Sequence, residues 1–417
     1  MNLLNLAWKN ITHRPLNLVL SMVLFGLGVG LVILLLLLND QMKNNFDRNL
    51  AGIDMVIGAK GSPLQMILCS MYHIDNPTGN ISVAEAKPFL NPKHPLIKRS
   101  VPLSLGDSYK SHRIVGTDHS ILGLYEGKIE TGALWENDFE VTIGKSVAID
   151  LGLKLGDKFK SSHGFDDADD MEHEHGSFVV VGILEPTGSV LDQLILSNLA
   201  SIWETHDHEA GGHEDHAGHD HSAHAVSKFN LLDHPDKDIT SILIQFKNRT
   251  NFQALNMPRN INENTDMQAA SPAFEINSLY SMIGVGIDAL RNLAIIIALV
   301  SAFSIFISLF TSLRERKYEL ALMRVMGASP GKLFFLIVLE GIVLAFFGFL
   351  VGLIISHIGM EVLASYAKAS YRYSFTGKTF LNAEWYILLA SLAIGFVAAI
   401  IPAIQAYKTD IHNTLSK

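Results

Sequence analysis

Charged side chains are scarce in this sequence of 417 residues. Asp, Glu, Lys and Arg make up 18% of it, against about 25% in ordinary soluble proteins. Four stretches of 20 to 25 residues contain none: 15–39, 292–313, 341–360 and 385–407. Each could cross a hydrocarbon core of about 30 Å as an α-helix, which excludes a soluble globular enzyme. The first stretch is too long for a removable signal peptide and lacks a small-residue cleavage site, which favours a permanent anchor.

Cysteine is nearly absent. Cys69 is the single one, so no disulfide can form within the chain. Cys69 and His73 are four apart and could share a ligand on a helix, but a lone buried thiol without a role is the favoured interpretation.

Enzyme motifs are missing as well. Gly144-Lys145-Ser146 has the ending of a phosphate-binding loop, but Phe139 stands where its first glycine belongs. The sequence has neither a His-Glu-x-x-His helix nor a Gly-x-Ser-x-Gly elbow. The chain is therefore predicted not to be an enzyme, and no intrinsic cofactor is expected.

The fold class predicted from these patterns is an α-helical membrane protein with four transmembrane helices and an inserted α+β extracytoplasmic domain. The predicted order is an N-terminal segment (1–15), helix 16–39, the extracytoplasmic domain (40–285), helix 286–313, a link (314–332), helix 333–358, a short outer loop (359–383), helix 384–407 and a tail (408–417).

Lys and Arg beside the helix ends predict the orientation. Nine such residues lie on one side and three on the other. The nine are Lys9, Arg14, Arg314, Arg316, Lys317, Arg324, Lys332, Lys408 and Lys417, and the three are Lys368, Arg372 and Lys378. Both termini and the link should therefore be cytoplasmic, and the large domain should lie outside.

The large domain combines short strands with two unusual tracts. Runs at 179–183, 194–196 and 242–246 are rich in β-formers. Residues 145–155 predict a helix that Gly156-Asp157 ends. The tracts 161–177 and 206–224 fit neither period, and we interpret them as mobile loops.

Histidine and acidic residues concentrate in these two tracts, which contain no Lys or Arg. Ten of the 18 histidines lie there: His163, His173, His175, His206, His208, His213, His216, His219, His221 and His224. Imidazoles with flanking carboxylates favour Zn²⁺ or a similar metal. We expect several ions to bind with modest affinity. The alternative is a solvated acidic loop in which histidine is incidental.

The link 314–332 combines charge with an apolar stripe at helical spacing. The stripe consists of Tyr318, Leu322, Val325 and Met326. Gly327 can end this helix in a left-handed cap, and Ser329 with Pro330 can begin the next one. A solvated basic turn would need no such stripe, so the link is predicted to lie on a partner.

Two further patterns fall in the apolar helices. Gly26 and Gly30, and Gly348 and Gly352, repeat at four residues and would let helix backbones approach closely. Glu340 lies near the cytoplasmic end of the third helix, where a carboxylate is costly unless paired. We expect its partner to be a basic residue of a neighbouring cytoplasmic segment rather than a transported ion.

The link, followed by Leu339-Glu340-Gly341, resembles the signature of MacB/FtsX/LolCE-type ABC transporter permeases. The opening Ala7-Trp8-Lys9-Asn10, the run 147–157 and Pro402-Ala403 are similar to corresponding parts of that family. The likeness covers essentially the whole chain except the histidine tracts.

This resemblance implies a permease of the bacterial inner membrane that pairs with a second copy or a paralogue. A separate cytoplasmic ABC ATPase would bind the link and hydrolyse the ATP. The coupling residues would be Arg314, Arg316, Tyr318, Glu319, Leu322, Arg324 and Gly327. Lipid would surround the helices, and no nucleic acid is expected as a partner.

The histidine tracts depart from the family pattern and make zinc or another transition metal the expected link to substrate. A periplasmic metal-binding or adaptor protein is then a further expected partner. The alternatives are a regulator that transmits motion to a periplasmic enzyme, a lipoprotein or peptide exporter with an incidental histidine-rich loop, and a membrane metalloenzyme.

Overall fold

The computed structural model describes Lys9 and residues 15–163, 177–210, 230–371 and 375–408. The α-helices are α1 (Pro15–Leu50), α2 (Pro63–Tyr72), α3 (Val83–Leu90), α4 (Ser120–Tyr125), α5 (Lys145–Leu151), α6 (Leu199–Ala210), α7 (Phe252–Asn264), α8 (Pro272–Glu315), α9 (Lys317–Val325), α10 (Pro330–Tyr371) and α11 (Asn382–Tyr407). The strands are β1 (Met55–Ala59), β2 (Ile81–Ser82), β3 (Ile97–Tyr109), β4 (His112–Thr117), β5 (Ile129–Gly132), β6 (Glu140–Ile143), β7 (Lys158–Phe159), β8 (Ser162–His163), β9 (Phe178–Leu184), β10 (Ile195–Ser197), β11 (Asp238–Ile239), β12 (Ser241–Phe246) and β13 (Met267–Ala270).

The chain divides into two compact units. One combines Met1–Lys43 with Met282–Lys417, and the other is Asn44–Ser281. The first unit is helical and the second is built on a sheet. This division confirms the predicted fold class, because a mixed α and β domain is inserted between the first and second of four long apolar helices.

The sheet unit contains, in the described part of the chain, an 11-stranded sheet and a two-stranded one. The path of the large sheet is β13-β1-β12-β3-β4-β10-β6-β9-β5, with β7 paired to β9 and β8 to β3. Strand β9 buries every second residue, as a strand with one core face should. Strands β4 and β12 are buried along nearly their whole length, and their apolar runs form the middle of the sheet.

Two apolar clusters support this sheet. One contains Ile57, Ile242 and Ile244, and the other contains Ile114, Val180 and Ile195. Since β-branched side chains pack well on a pleated surface, the runs that predicted strands also supply the core.

The four long helices α1, α8, α10 and α11 are each apolar enough to span a membrane. Helix α1 contributes Phe25, Val29, Ile33 and Leu37 to the core of the bundle. These residues are four apart, so they lie along one face of the helix. Many apolar side chains on α8 are exposed instead, as expected where lipid is the solvent.

The helices run past the segments predicted to lie in the membrane. Helix α8 has 44 residues, about 66 Å at 1.5 Å per residue, which is twice a hydrocarbon core of about 30 Å. The predicted domain boundary at residue 285 therefore falls inside one continuous helix. The bounds of the segments within the membrane stay predictions.

Several local expectations were wrong. Strand β8 begins at Ser162, inside a tract predicted to be a loop, and α10 continues to Tyr371, into the predicted outer loop 359–383. The helix predicted over 145–155 ends at Leu151, because Gly152 takes a left-handed conformation with φ of 68° and closes the helix one turn early. The tract 206–224 was predicted to be a loop from its start, but α6 continues through Ala210. Apolar packing of its first turns, with Leu199 and Ile202 buried, extends the helix into the tract.

Candidate coupling surface and associated sites

The short helix α9 has two apolar faces. Leu320 and Ala321 are buried, and Leu320 packs in a cluster with Leu333 and Ile337 of α10. The predicted stripe lies elsewhere on the helix: Tyr318, Leu322, Val325 and Met326 are 61%, 44%, 58% and 71% exposed. One face therefore fixes α9 to the helix bundle, and the other is open in the isolated chain.

The ends of α9 are defined by backbone hydrogen bonds. Gly327 has φ of +95°, and its N–H donates to the Arg324 carbonyl at 3.1 Å. The Ala328 N–H donates to the Met323 carbonyl at 3.0 Å. These two bonds form the Schellman cap that a glycine favours, and α10 then begins at Pro330. Gly327 thus has a structural role in the predicted coupling set.

Arg316 joins α9 to α10 through a buried ion pair. Its Nη1 lies 3.3 Å from Oε1 of Glu340, and the two side chains are 12% and 3% exposed. The Nε of Arg316 also lies 3.2 Å from Oε2 of the exposed Glu319. Arg316 is the kind of partner expected for Glu340, since it is a basic residue of the cytoplasmic link. Arg314 is exposed and Arg324 half-buried.

The four predicted glycines meet each other. A Cβ on Gly352 would lie 2.7 Å from the Gly26 carbonyl oxygen, and one on Gly30 would lie 2.9 Å from the Gly352 carbonyl oxygen. A Cβ on Gly348 would lie 2.7 Å from Cδ1 of Phe25. Helices α1 and α10 therefore approach closely along this line, and larger residues would separate them.

A second close approach was missed. A Cβ on Gly341 would lie 2.8 Å from the Gly395 carbonyl oxygen, and one on Gly395 would lie 2.7 Å from the Gly341 carbonyl oxygen. Gly341 of α10 and Gly395 of α11 each lack a second glycine four residues away. The available signal was the small residue at the same spacing, since Ala345 and Ala399 complete the two patterns.

The predicted metal ligands lie mostly outside the described residues. The predicted ligands outside the described residues are His173, His175, His213, His216, His219, His221 and His224. The backbone is described at His163, in β8, and at His206 and His208, in α6. Among the described residues, no group of three or more His, Cys, Asp or Glu is arranged to hold a metal ion.

Cys69 and His73 lie in a buried region beside the guanidinium of Arg113. Nη1 of Arg113 lies 3.6 Å from the Cys69 sulfur, and Nη2 donates to the Asp75 carbonyl at 3.0 Å. Burial raises the pKa of the Cys69 thiol to about 11 although Arg113 opposes this shift. Burial and the charge of Arg113 lower the pKa of His73 to about 3. The Cys69 thiol and the His73 imidazole are therefore neutral and lie beside the Arg113 cation. Because that cation would repel a metal ion, a metal site is disfavoured here.

Two family models match the chain. The FtsX-like permease C-terminal model matches residues 292–411, and the MacB-like periplasmic core domain model matches residues 18–256. A search of curated proteins gives no match.

Among solved structures, the periplasmic region of MacB from Actinobacillus actinomycetemcomitans is similar to this chain. The identity is 13%, and the match covers 55% of this chain and 94% of that one, with a TM-score of 0.33. The MacB-like model alone spans more than half of the chain, and four apolar helices accompany it. The chain thus belongs to the MacB/FtsX family of ABC transporter permeases, and it is a multi-pass inner-membrane protein with a large periplasmic domain.

Proposed function

We propose that this chain is the permease subunit of an ATP-driven machine whose separate cytoplasmic ATPase docks on α9. The exposed apolar face of α9 carries this proposal. A helix that already buries Leu320 and Ala321 has no need of a second apolar face in water. A partner surface would desolvate that face, and Arg324 and Glu319 would lie at its rim.

The ion pair between Arg316 and Glu340 would hold α9 firmly to α10, so that the two helices move together. Because both charges are largely withdrawn from water, breaking the pair would separate two buried opposite charges and would be costly. A push on α9 should therefore move α10 rather than detach α9 from it.

Motion would reach the periplasmic domain through α1 and α8. Helix α1 ends at Leu50, shortly before β1, and α8 begins at Pro272, directly after β13. Strands β1 and β13 pair with each other in the sheet. Both helices thus connect to neighbouring strands, so a displacement of one helix along its axis would act on a single edge of the sheet. A second copy or a paralogue would complete the machine as a dimer.

The histidine tracts point to zinc or a similar metal as the species handled or sensed, with a periplasmic metal-binding or adaptor protein as a further partner. We assign most of the binding to the later histidines, 213 to 224, whose spacings let neighbouring side chains reach one ion.

The docking test replaces Leu322 and Val325 together by Glu in the full chain, co-expressed with its ATPase. The matched control is Ile149→Glu, because Ile149 is 67% exposed in the periplasmic unit. We expect the double variant to lose at least about tenfold of the co-purified ATPase, as for the centre of an interface, while the control retains it. Unchanged ATPase recovery with the double variant would show that α9 is not the docking element.

The metal test compares the full chain with a variant in which the seven histidines of 206–224 are replaced by Asn. This variant keeps the length and the carboxylates, so it isolates imidazole. Calorimetry should show several zinc ions at the wild-type tract, with binding that weakens below about pH 6 as imidazoles take up protons. Equal zinc stoichiometry in both proteins would remove the metal assignment and leave the docking proposal untouched.

A further inference from the structure

A polar cluster at the outer end of the helical unit lies apart from the coupling surface. It involves Gln41 of α1, His357 and Glu361 of α10, and Glu384 of α11, gathered around residues 375–381. These residues are the part of the predicted outer loop (359–383) that leads into α11, and they alone are called the outer loop from here on. Gln41 Nε2 donates to the Thr376 carbonyl at 2.7 Å, and the Thr376 N–H donates to Gln41 Oε1 at 2.9 Å. The loop is thus tied to α1 just before the chain enters the periplasmic domain.

Gly377 is held from both sides by α10. Its N–H donates to Glu361 Oε2 at 2.8 Å, and its carbonyl accepts from Nδ1 of His357. A Cβ on Gly377 would lie 2.2 Å from the His357 carbonyl oxygen, so another residue would not fit. The ring of His357 also packs on Phe380, with centroids 4.6 Å apart.

These contacts fix the tautomer of His357. A carbonyl oxygen can only accept, so Nδ1 must carry a hydrogen. Nε2 then presents either a lone pair or a second hydrogen. It faces Oε2 of Glu384 at 3.5 Å, is buried, and has no hydrogen-bond partner among the described residues.

The carboxylate of Glu384 is held in place through its other oxygen atom. Its Oε1 accepts from the Leu381 N–H at 2.9 Å, which caps α11, and the residue is 6% exposed. Without an added proton, a lone pair on Nε2 would face a buried carboxylate, which is unfavourable in a medium of low dielectric constant. With one added proton, the same two atoms form a buried, neutral ion pair.

We propose that His357 and Glu384 form a proton-binding site whose bound proton latches the outer loop onto α10 and α11. The proton comes from water and forms an N–H bond at Nε2, beside the carboxylate. On release that bond breaks and the proton returns to water. The Nε2 lone pair then faces the carboxylate of Glu384, and this repulsion would displace the ring and weaken the bond that its Nδ1–H donates to Gly377. Since the latched state binds the proton, latching weakens as the pH rises.

Other charged groups lie on the packed elements. They are Glu361 on α10, Lys378 in the loop, and Asp40 and Lys43 on α1. Lys378 and Lys43 are exposed, and Glu361 already accepts from Gly377. The test must separate the His357–Glu384 pair from these groups.

Three variants do so. In Glu384→Gln, the oxygen must remain toward the Leu381 N–H, so the amide NH₂ faces Nε2 and replaces the proton permanently. In His357→Asn, the amide nitrogen can still donate to Gly377, but no titrating ring remains. Glu361→Gln is the matched control, because it removes a neighbouring carboxylate and keeps an acceptor for Gly377.

The measurement is amide hydrogen exchange of 375–384 in the full chain in detergent at pH 5.5 and 8.5, corrected for the intrinsic pH dependence of exchange. We expect protection in the wild type and in Glu361→Gln to fall at least about tenfold at the higher pH, as the release of one proton allows. Glu384→Gln and His357→Asn should lose this difference. Equal wild-type protection at both pH values, or an unchanged difference in Glu384→Gln, would overturn the proposal even if His357→Asn fails to insert.

Discussion

Arg316 takes part in two ion pairs that contribute differently to stability. The contact with Glu319 is at the surface, where Glu319 is 67% exposed, and such pairs contribute about 0–1 kcal/mol. The contact with Glu340 is buried, so the loss of either partner should cost more than the loss of a surface pair. The sequence suggested a basic partner for Glu340, but several basic residues of the link could have filled that place.

The first prediction concerns this pair. Arg316→Ala should lower the free energy of unfolding by about 3–5 kcal/mol, because it removes the cation that lies beside the buried carboxylate of Glu340. Glu319→Ala, which removes the exposed partner, should change it by less than about 1 kcal/mol. Denaturant unfolding of the full chain in mixed micelles measures both. Equal effects would show that Glu340 has another partner or access to water.

His73 provides a second prediction at this scale. Its pKa is lowered to about 3, first by burial and then by the charge of Arg113, whereas an exposed imidazole titrates near 6.5. Between these values the unfolded chain binds the proton and the native chain does not. Stability from neutral His73 is therefore complete above about pH 6.5 and is lost as the pH falls, by up to about 1.4 kcal/mol per pH unit.

The matched variant is His73→Asn, since His73 has φ of 53° at the end of α2 and Asn tolerates that conformation. The difference in unfolding free energy between wild type and variant should change with pH between about 6.5 and 4. If the two proteins lose stability in parallel over that range, His73 is not responsible for the acid sensitivity.

Among the elements, the contact between α1 and α10 depends on the absence of side chains. Gly352→Ala would place a Cβ 2.7 Å from the Gly26 carbonyl oxygen, and a helix backbone cannot give way as a flexible side chain can. We predict a loss of about 1–3 kcal/mol, as for other overpacked cores. Thermal unfolding of the full chain in detergent provides the measurement.

Gly284→Ala is the control, because a Cβ there meets nothing within 4 Å. Alanine favours helix by up to about 1 kcal/mol over glycine, so this control should be neutral or stabilising. A stabilising effect at Gly352 as well would mean that α1 and α10 do not approach as described.

At the scale of the whole molecule, the last prediction concerns ATP hydrolysis, which we assign to a separate subunit. The chain lacks a complete phosphate-binding loop, so the purified chain alone should hydrolyse no ATP above background. The complex with its ATPase should be active, and a variant with Glu at Leu322 and Val325 should lower ATPase activity in the membrane fraction through lost docking. ATP hydrolysis by the isolated chain would contradict the assignment of catalysis to a partner.

Composition and short-range pattern were enough to predict four apolar helices, the orientation, an inserted α+β domain and the strands β9, β10 and β12. These features follow from local properties, namely the length of an apolar run, the alternation of side chains and the charge beside a helix end. The end of α5 was predicted less well, because either Gly152 or Gly156 could close the helix. In the structure Gly152, with φ of 68°, ends it.

Only the tertiary structure decided which distant residues meet. The two glycine pairs were visible in the sequence, but their contact across α1 and α10 was not. The partners Arg316 and Glu340 are separated by 24 residues, and His357 and Glu384 by 27. Such pairs depend on helix rotation and crossing, which are set by the packing of whole helices. A sequence read one helix at a time fixes the face of a residue but not the residue opposite it.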